Sequence, residues 1–493
     1  YMQSKAWHTT ARRSRPAGVE DRSKEDIQHS LMLDHVHGFR GQDCRNNVSY
    51  AKDGTIVYTA AAVAICMDPK TMRQRFMSGH TDDIISLTMT HVTKKRGSFS
   101  ICATGEVGRS PKIIVWESNS MRQLQTIRGA HQRGVTQLAF SPDGTTLASI
   151  GLDDNNSMSL HDWKKGVSLL RVRTGPDKVF GLSFQPGTET NPMDDSRLVT
   201  VGFKHMTFWK RSGKSQISPR NARFGRDLAG TMTIVDVCFD AIGRIIAATN
   251  KGHIAVWPPK DANTMMLPLG KGSVKDAHSG AMNCVETVPG GEKVVSAGAD
   301  GVIKIWVCHP SPDREIELSK SFDTHRHYCM NPAVQSVGIS SNKARAIIGT
   351  RGGDVLEIKL QDGSLLKNRP VTSGHFFGEL WGLAAHPKDN NLFATSGDDK
   401  VSLTQRQFVS QSTMLDLVDM PLPALAPSAP LWNSRALTFV FLIPSLLPSS
   451  SPFFFPPTTH LPWTVPPSRI KSLVTVLGTR EPGKAQCQSY LVL

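Results

Sequence analysis

The sequence predicts an all-β protein, a β-propeller of about seven blades, on two recurring markers and the spacing between them. Short runs rich in β-branched residues end in tryptophan at Val115-Trp116, Asp162-Trp163, Phe208-Trp209, Val256-Trp257 and Ile305-Trp306, with successive separations of 47, 46, 48 and 49 residues. Upstream markers stand at Gly79-His80, Ala130-His131, Ala277-His278 and Gly374-His375. Two markers in fixed order, repeating at slightly more than about 40–45 residues, describe four-stranded blades arranged around an axis.

Between the markers the chain reads as short strands joined by tight turns. In Ser141-Pro142-Asp143-Gly144 the proline suits the second turn position and the glycine the last. Segments such as Val294-Val295-Ser296-Ala297 and Val302-Ile303-Lys304-Ile305-Trp306 suit strands stacked between neighbouring sheets. The Gly-His and Trp markers are those of WD40-type repeats. Residues 278–306 carry the parts of that repeat's structural tetrad, at His278, Ser296, Asp300 and Trp306. In that resemblance the turn aspartate orients the histidine and the hydroxyl links histidine to tryptophan. A serine, a histidine and an aspartate also suggest a hydrolase, but the chain has no G-x-S-x-G elbow to present the nucleophile.

Other blades are degenerate. One keeps His80, Thr104 and Trp116 but has Gly108-Arg109 where a turn aspartate is due. The blade ending at Trp209 lacks a counterpart of the histidine, and the one at 325–360 ends Glu357-Ile358-Lys359 without a tryptophan. The expectation is that few tetrads form and that strand pairing and apolar stacking hold the blades.

In chain order, 1–30 reads as a polar segment without heptads, interrupted by Pro16 and Gly18. Residues 31–76 hold a distinctive run, His35-Val36-His37-Gly38-Phe39-Arg40-Gly41-Gln42-Asp43-Cys44-Arg45-Asn46-Asn47, and the first strands. Residues 77–404 form the repeat region, and 405–493 a proline-rich tail outside it. The run at 35–47 resembles the HELP motif (hydrophobic EMAP-like protein motif), and Gly79-His80-Thr81-Asp82-Asp83-Ile84 follows at the interval that resemblance expects. Further matches stand at Ala103-Thr104-Gly105-Glu106-Val107-Gly108, Asp162-Trp163-Lys164-Lys165-Gly166, Val201-Gly202-Phe203-Lys204-His205 and Gly378-Glu379-Leu380-Trp381-Gly382-Leu383. Over residues 30–400 the chain resembles the echinoderm microtubule-associated protein-like (EMAP-like) family, most closely its long members built from several HELP-propeller units.

That resemblance implies tandem propellers, with the HELP segment packed in the core near their junction, and a scaffold that binds tubulin in microtubules. Its residues here are His37, Gly38, Phe39, Arg40, Gly41, Asp43, Cys44, Arg45, Asn46 and Asn47. Read bottom-up, two glycines around Phe39-Arg40 point to close backbone packing about a buried aromatic. A catalytic or metal cluster of His37, Asp43 and Arg45 is disfavoured, because the spacing suits neither zinc ligation nor an acid/base pair.

The composition narrows the function classes. Eight scattered cysteines without a CxxC pair suit a reducing compartment, and the expected location is the cytoplasm and its cytoskeleton. The longest apolar run, Leu437 to Leu447, contains Pro444 and is too short to span a bilayer, so no membrane partner is expected. With 57 Lys and Arg against 42 Asp and Glu, the net charge of +15 favours a polyanionic partner. Part of it is concentrated at Lys204, Lys210, Arg211, Lys214, Arg220, Arg223 and Arg226, read in the first place as a solvated surface loop and otherwise as contacts for an acidic protein partner. No nucleic acid is expected, since no RRM, KH or zinc-finger signature occurs. No catalytic residue, metal or cofactor is expected. The alternative function is an adaptor that binds other proteins without touching microtubules.

Beyond Ser396-Gly397-Asp398-Asp399-Lys400 the repeat pattern fades, and Gln405 stands where a tryptophan is due. From Met420 to Ser468 only Arg435 is charged, a composition expected to be disordered. Lys-Val-Ser at the break reads as a splice donor translated in frame, so the expectation is a translated intron and a ring cut off inside its last blade; the competing reading is an alternative C-terminus that acts through Pro-rich recognition. Gly478 to Ala485 imitates a P-loop, but Ala485 lacks the hydroxyl that would hold magnesium.

Overall fold

The computed structural model describes residues 32–94, 97–186, 196–213, 216–224, 233–258, 277–311, 314, 316–327, 329–389, 391–406, 474–478 and 489–492. The polar segment 1–30, the expected disorder over 420–468 and nearly all of the P-loop-like stretch lie outside the described residues.

Strand β1 (Met32–His37) precedes the first sheet. Blade one is β2 (Val48–Tyr50), β3 (Ile56–Ala60), β4 (Val63–Met67) and β5 (Gln74–Met77). Blade two is β6 (Ile84–Lys94), β7 (Gly97–Gly108), β8 (Ile113–Glu117) and β9 (Gln123–Ile127). Blade three is β10 (Arg133–Phe140), β11 (Thr146–Gly151), β12 (Met158–Asp162) and β13 (Val167–Val172). Blade four is β14 (Val179–Phe184), β15 (Arg197–Gly202), β16 (His205–Ser212) and β17 (Gln216–Asn221). Blade five has β18 (Ile234–Phe239), β19 (Ile245–Thr249) and β20 (Ile254–Trp257). Blade six is β21 (Met282–Thr287), β22 (Lys293–Gly298), β23 (Val302–Val307) and β24 (Glu317–Asp323). Blade seven has β25 (Val334–Ile339), β26 (Arg345–Thr350) and β27 (Val355–Lys359). An eighth sheet follows, with β28 (Leu380–Ala385), β29 (Leu392–Gly397) and β30 (Ser402–Arg406). All pairings within these sheets are antiparallel meanders, each strand pairing with the one before it in the chain, most of them through short connections.

Position within the blade explains the sequence of each strand. The second strands, β3, β11 and β19, are buried along their whole length, because the neighbouring blades cover both faces. They therefore read as continuous apolar runs rather than as alternation. The outermost strands β17 and β24 are mostly exposed and polar, and β13 is half exposed. The turn at Ser141-Pro142-Asp143-Gly144 closes with the Gly144 amide donating to the Ser141 carbonyl at 2.8 Å, and Gly144 takes the φ of +66° that favours glycine.

Among the described residues, seven apolar clusters fill the seven gaps between successive blades, the last joining blade seven to blade one. The ring is therefore closed. In that last gap the Tyr50 hydroxyl donates to Glu357 at 2.8 Å, and Arg345 pairs with the same carboxylate at 2.9 Å. A side chain at Gly338 would collide with the Ser49 backbone, so β25 and β2 pack almost backbone to backbone.

This corrects the expected boundaries. The first blade is built from residues 48–77, inside the segment read as motif and first strands, and carries neither marker. The ring ends with blade seven rather than running to 404, and the sheet at 380–406 stands outside it. The expected cut inside the last blade does not open the ring. In the tail, β31 (Val474–Gly478) and β32 (Ser489–Val492) pair with each other, and β31 pairs with β1.

Candidate functional site

In blade six, His278 Nδ1 lies 3.1 Å from both Asp300 oxygens, and its Nε2 lies 2.8 Å from the Ser296 hydroxyl. Trp306 Nε1 donates to that hydroxyl at 2.8 Å. Every group is satisfied when Nδ1–H donates to Asp300, Ser296 donates to Nε2, and Trp306 donates to Ser296. Burial acts to raise the Asp300 carboxyl, but hydrogen bonds from His278 and from the Val302 and Ser279 amides outweigh it and hold it below its ordinary range. The serine proton is committed to the network, so the constellation ties turn to strand.

The degenerate blades build partial versions of this network from residues the repeat pattern does not mark, while the complete set of four, among the described residues, stands in blade six; in blade two the Trp116 indole takes no part. In blade two the carboxylate comes from Glu106 on β7, two residues before Gly108. His80 Nδ1 lies 2.9 Å from it, and Nε2 lies 2.7 Å from Thr104. In blade three His161 takes the tryptophan's place: it pairs with Leu147 across the sheet as Trp306 pairs with Val294. Its Nε2 lies 2.8 Å from Ser149, which is 2.6 Å from His131 Nε2. Trp163, the repeat marker, lies two residues beyond, where its indole donates to the Gly144 carbonyl at 2.8 Å. In blade four β16 supplies the imidazole: His205 Nε2 lies 2.9 Å from the Thr200 hydroxyl, to which Trp209 donates at 2.9 Å. Burial pushes His131 down to about 3 and His161 to about 4, so both stay neutral in the fold.

The run at 37–47 forms a strap that crosses from the ring's last interface to its central axis. Phe39 is buried between blades one and seven, and a side chain at Gly41 would meet the Thr350 carbonyl at 1.9 Å. Gly38 takes a φ of +99°, and its amide donates to Thr372 at 3.1 Å. Arg40 makes two bonds to Asp43, at 2.9 and 2.8 Å, and a third contact of 2.7 Å to Asp83 in blade two. Burial opposes charge on Arg40, but the two carboxylates raise the guanidinium above its ordinary value. Cys44 is buried, which pushes its thiol up.

Arg45 then reaches the inner strands. It donates to the carbonyls of Val235 at 3.0 Å, Asn283 at 3.4 Å and Phe180 at 3.3 Å, one from each of blades five, six and four. Its guanidinium carbon stands 5.4 Å from the Phe180 ring centre. Burial lowers the Arg45 guanidinium, with the nearby Asp236 acting against that, and burial raises the Asp236 carboxyl. Asn46, at φ +54°, donates to Asp236 at 2.9 Å. Asn47 exchanges bonds with Ser336 at 3.2 and 3.0 Å. A metal or acid/base cluster of His37, Asp43 and Arg45 does not assemble. His37 instead packs edge-on against Phe393 of the eighth sheet, ring centres 5.3 Å apart, and burial pushes it down to about 3. Among the described residues no group of three or more ligands could hold a metal.

The basic run does not lie on one loop. Lys210 and Arg211 stand on β16, Arg220 on β17, Lys204 in the β15–β16 turn, and Arg223 just after β17; Lys214 and Arg226 lie outside the described residues. Together they line the outer rim of blade four from one face to the other, roughly 20 Å by strand rise. Arg211 is partly committed, donating to Gly213 at 2.8 Å and Thr146 at 3.3 Å.

Comparison with known proteins agrees with this architecture. Residues 73–358 match the model of the echinoderm microtubule-associated protein first beta-propeller, more than half of the chain, and residues 28–65 match the HELP motif. The chain is 28% identical to human echinoderm microtubule-associated protein-like 1 over 375 residues, which is 75% of this chain and 42% of that protein. It is 25% identical to the 77 kDa echinoderm microtubule-associated protein of Lytechinus variegatus, over 75% of this chain and 52% of that one. The chain thus spans about half the length of the curated relatives it matches, or less. A chain in the crystal structure of the mitotic checkpoint complex superposes with a TM-score of 0.51 at 14% identity, covering 70% of this chain and 97% of that chain; at that identity it shows the fold alone.

Proposed function

The chain belongs to the echinoderm microtubule-associated protein-like family, and on that premise we propose that it is a non-enzymatic scaffold that binds microtubules on the cytoplasmic cytoskeleton. The observation that carries the reading is the basic rim of blade four on a chain of net charge +15, held by a rigid closed ring. Such a surface attracts an acidic lattice over several ångströms and gives a salt-sensitive encounter. The non-enzymatic part is supported by the histidine networks, whose hydroxyls are buried and committed to neighbours within their own blades.

The test is co-pelleting of the full chain with taxol-stabilised microtubules across a salt series, beside the variant Lys210→Glu/Arg220→Glu/Arg223→Glu. The expected result is pelleting at low ionic strength, weakened by salt and by charge reversal. Absence of pelleting at the lowest salt would overturn the reading. A second reading, an adaptor without direct microtubule contact, draws on the rim's shape: cations spread over the two outer strands of blade four and the segments flanking them suit an extended acidic segment of any protein. Pelleting that charge reversal leaves unchanged, with loss of another protein partner, would favour it.

A further inference from the structure

A cleft of about 620 Å³ opens between blades six and seven. It lies on the face opposite the strap. The strap meets the N-terminal ends of inner strands, at Val235 and Asn283, whereas the cleft is walled by the β21–β22 turn, at the far end of the sheet. Pairing of Met282 with Gly298 and of Thr287 with Val294 sets the two ends apart.

The floor of the cleft is aliphatic: Val288, Ile305 and Leu360 are buried there, and Leu366 flanks them. Its rim is cationic. Lys293 and Lys320 stand on the blade-six side and Lys343 and Lys359 on the blade-seven side, all exposed. One from each wall leans inward. Lys320 Nζ donates across the gap to the Gln361 carbonyl at 2.7 Å, and a side chain at Gly290 would meet Lys343 Nζ at 2.9 Å. Against these four the lining offers one carboxylate, Glu292. Glu357 lies beneath, buried and already matched by Arg345 and Tyr50. Asp362, beside Lys359, is held in its own turn by the Ser364 amide and hydroxyl at 2.9 and 2.7 Å.

We propose that this cleft is a docking site for an extended acidic peptide segment carrying an apolar side chain. Carboxylates of the segment meet the lysine rim from both sides, and the apolar side chain covers the aliphatic floor. Charge complementarity chooses the class of partner, and the floor separates a peptide from a nucleic acid, because none of the lining residues is an aromatic platform on which bases would stack. The inference stands apart from the microtubule reading, since the rim of blade four is a different surface.

The probe is a fluorescein-labelled glutamate-rich peptide with one central leucine, titrated with the full chain by fluorescence anisotropy. Reversing three cations in Lys293→Glu/Lys343→Glu/Lys359→Glu is expected to weaken binding at least about tenfold. The neutral triple change to Gln is expected to weaken it by less. Lys210→Glu/Arg220→Glu on blade four leaves it unchanged, and replacing the peptide's leucine with serine weakens it several-fold. Melting curves report whether each variant is folded; if the charge-reversed variant is not, the Gln variant decides. Wild-type affinity in the triple variants overturns the proposal. So does competition by a single-stranded oligonucleotide as strong as that by the peptide, together with indifference to the leucine.

Discussion

Blade six and the eighth sheet share one hydrogen-bond pattern in different surroundings. In the eighth sheet His375 Nδ1 lies 2.9 Å from both Asp399 oxygens and Nε2 lies 3.0 Å from Thr395, much as His278 meets Asp300 and Ser296. The amide after each histidine donates to the same aspartate, Phe376 at 3.2 Å and Ser279 at 3.1 Å. Beyond that the two diverge. Trp306 lies in an apolar cluster shared with blade five, whereas Gln405 stands in its place in the eighth sheet and donates to the Ser373 carbonyl at 3.1 Å. Blade six packs on both sides; the eighth sheet buries Phe393 against Leu380 and Leu383 and leaves Trp381 73% exposed. The polar network needs only its own blade to form. Burial, at about 25 cal/mol per Å² of apolar surface, comes from neighbours and is what makes the ring hold together.

The largest expected effect therefore comes from cutting a link between blades. Arg244, fully buried, pairs with Asp240 at 2.6 Å and donates to the carbonyls of His309, Ser311 and Arg314, tying blade five to the loop after β23. Arg244→Met leaves Asp240 buried without its cation and is expected to cost about 3–5 kcal/mol. Urea unfolding followed by tryptophan fluorescence measures it. An unchanged midpoint would show that such links do not carry ring stability, and would erase the contrast with the eighth sheet.

A smaller effect separates the two shared networks. Asp300→Ala removes the acceptor of His278 and is expected to destabilise the ring by about 1–3 kcal/mol. Asp399→Ala removes the same bonds in the eighth sheet, yet the ring's unfolding midpoint is expected to stay put, with only the Phe376 and Val401 amides exchanging faster by hydrogen-exchange mass spectrometry. Acid weakens the Asp300 network on its own. Because the fold lowers the Asp300 carboxyl, its contribution is present above the ordinary aspartate value of about 3.9 and is lost as pH falls through the lowered one. Equal loss of ring stability in both variants would mean the eighth sheet is part of the ring's cooperative unit.

How far the sequence showed this architecture depends on where each contact comes from. The blade-six tetrad was legible because all four members sit within one repeat at marked positions. Glu106, His161 and His205 were not, because sheet register rather than a motif brings them to their partners. Two signals were available: Glu106 is the carboxylate two residues beyond Thr104 on the same strand, and His161 lies two residues before a marker that had drifted. The ring closure was hidden for a stronger reason. Blade one carries no Gly-His and no tryptophan, and its bond from Tyr50 to Glu357 spans 307 residues. The strap was visible as a motif, and the glycines around Phe39 pointed to close packing. Nothing local shows that Arg45 reaches carbonyls on three blades.

The smallest expected effect is at the most exposed aromatic. Trp381 lies on β28, and its indole donates to Asp398 at 2.5 Å, in the turn between β29 and β30. It covers little apolar surface, so Trp381→Ser removes one exposed hydrogen bond and almost no burial. The ring's unfolding free energy is expected to change by no more than about 0.5 kcal/mol, as for most surface substitutions. Trp306→Ser is the matched change in blade six, where the indole is buried and its Nε1 is bonded to Ser296. A Trp381 variant as damaging as the Trp306 variant would show that the eighth sheet's open face packs against something in solution. The contrast between a sheet packed between two blades and one that meets the strap at His37 would then have to be redrawn around that contact.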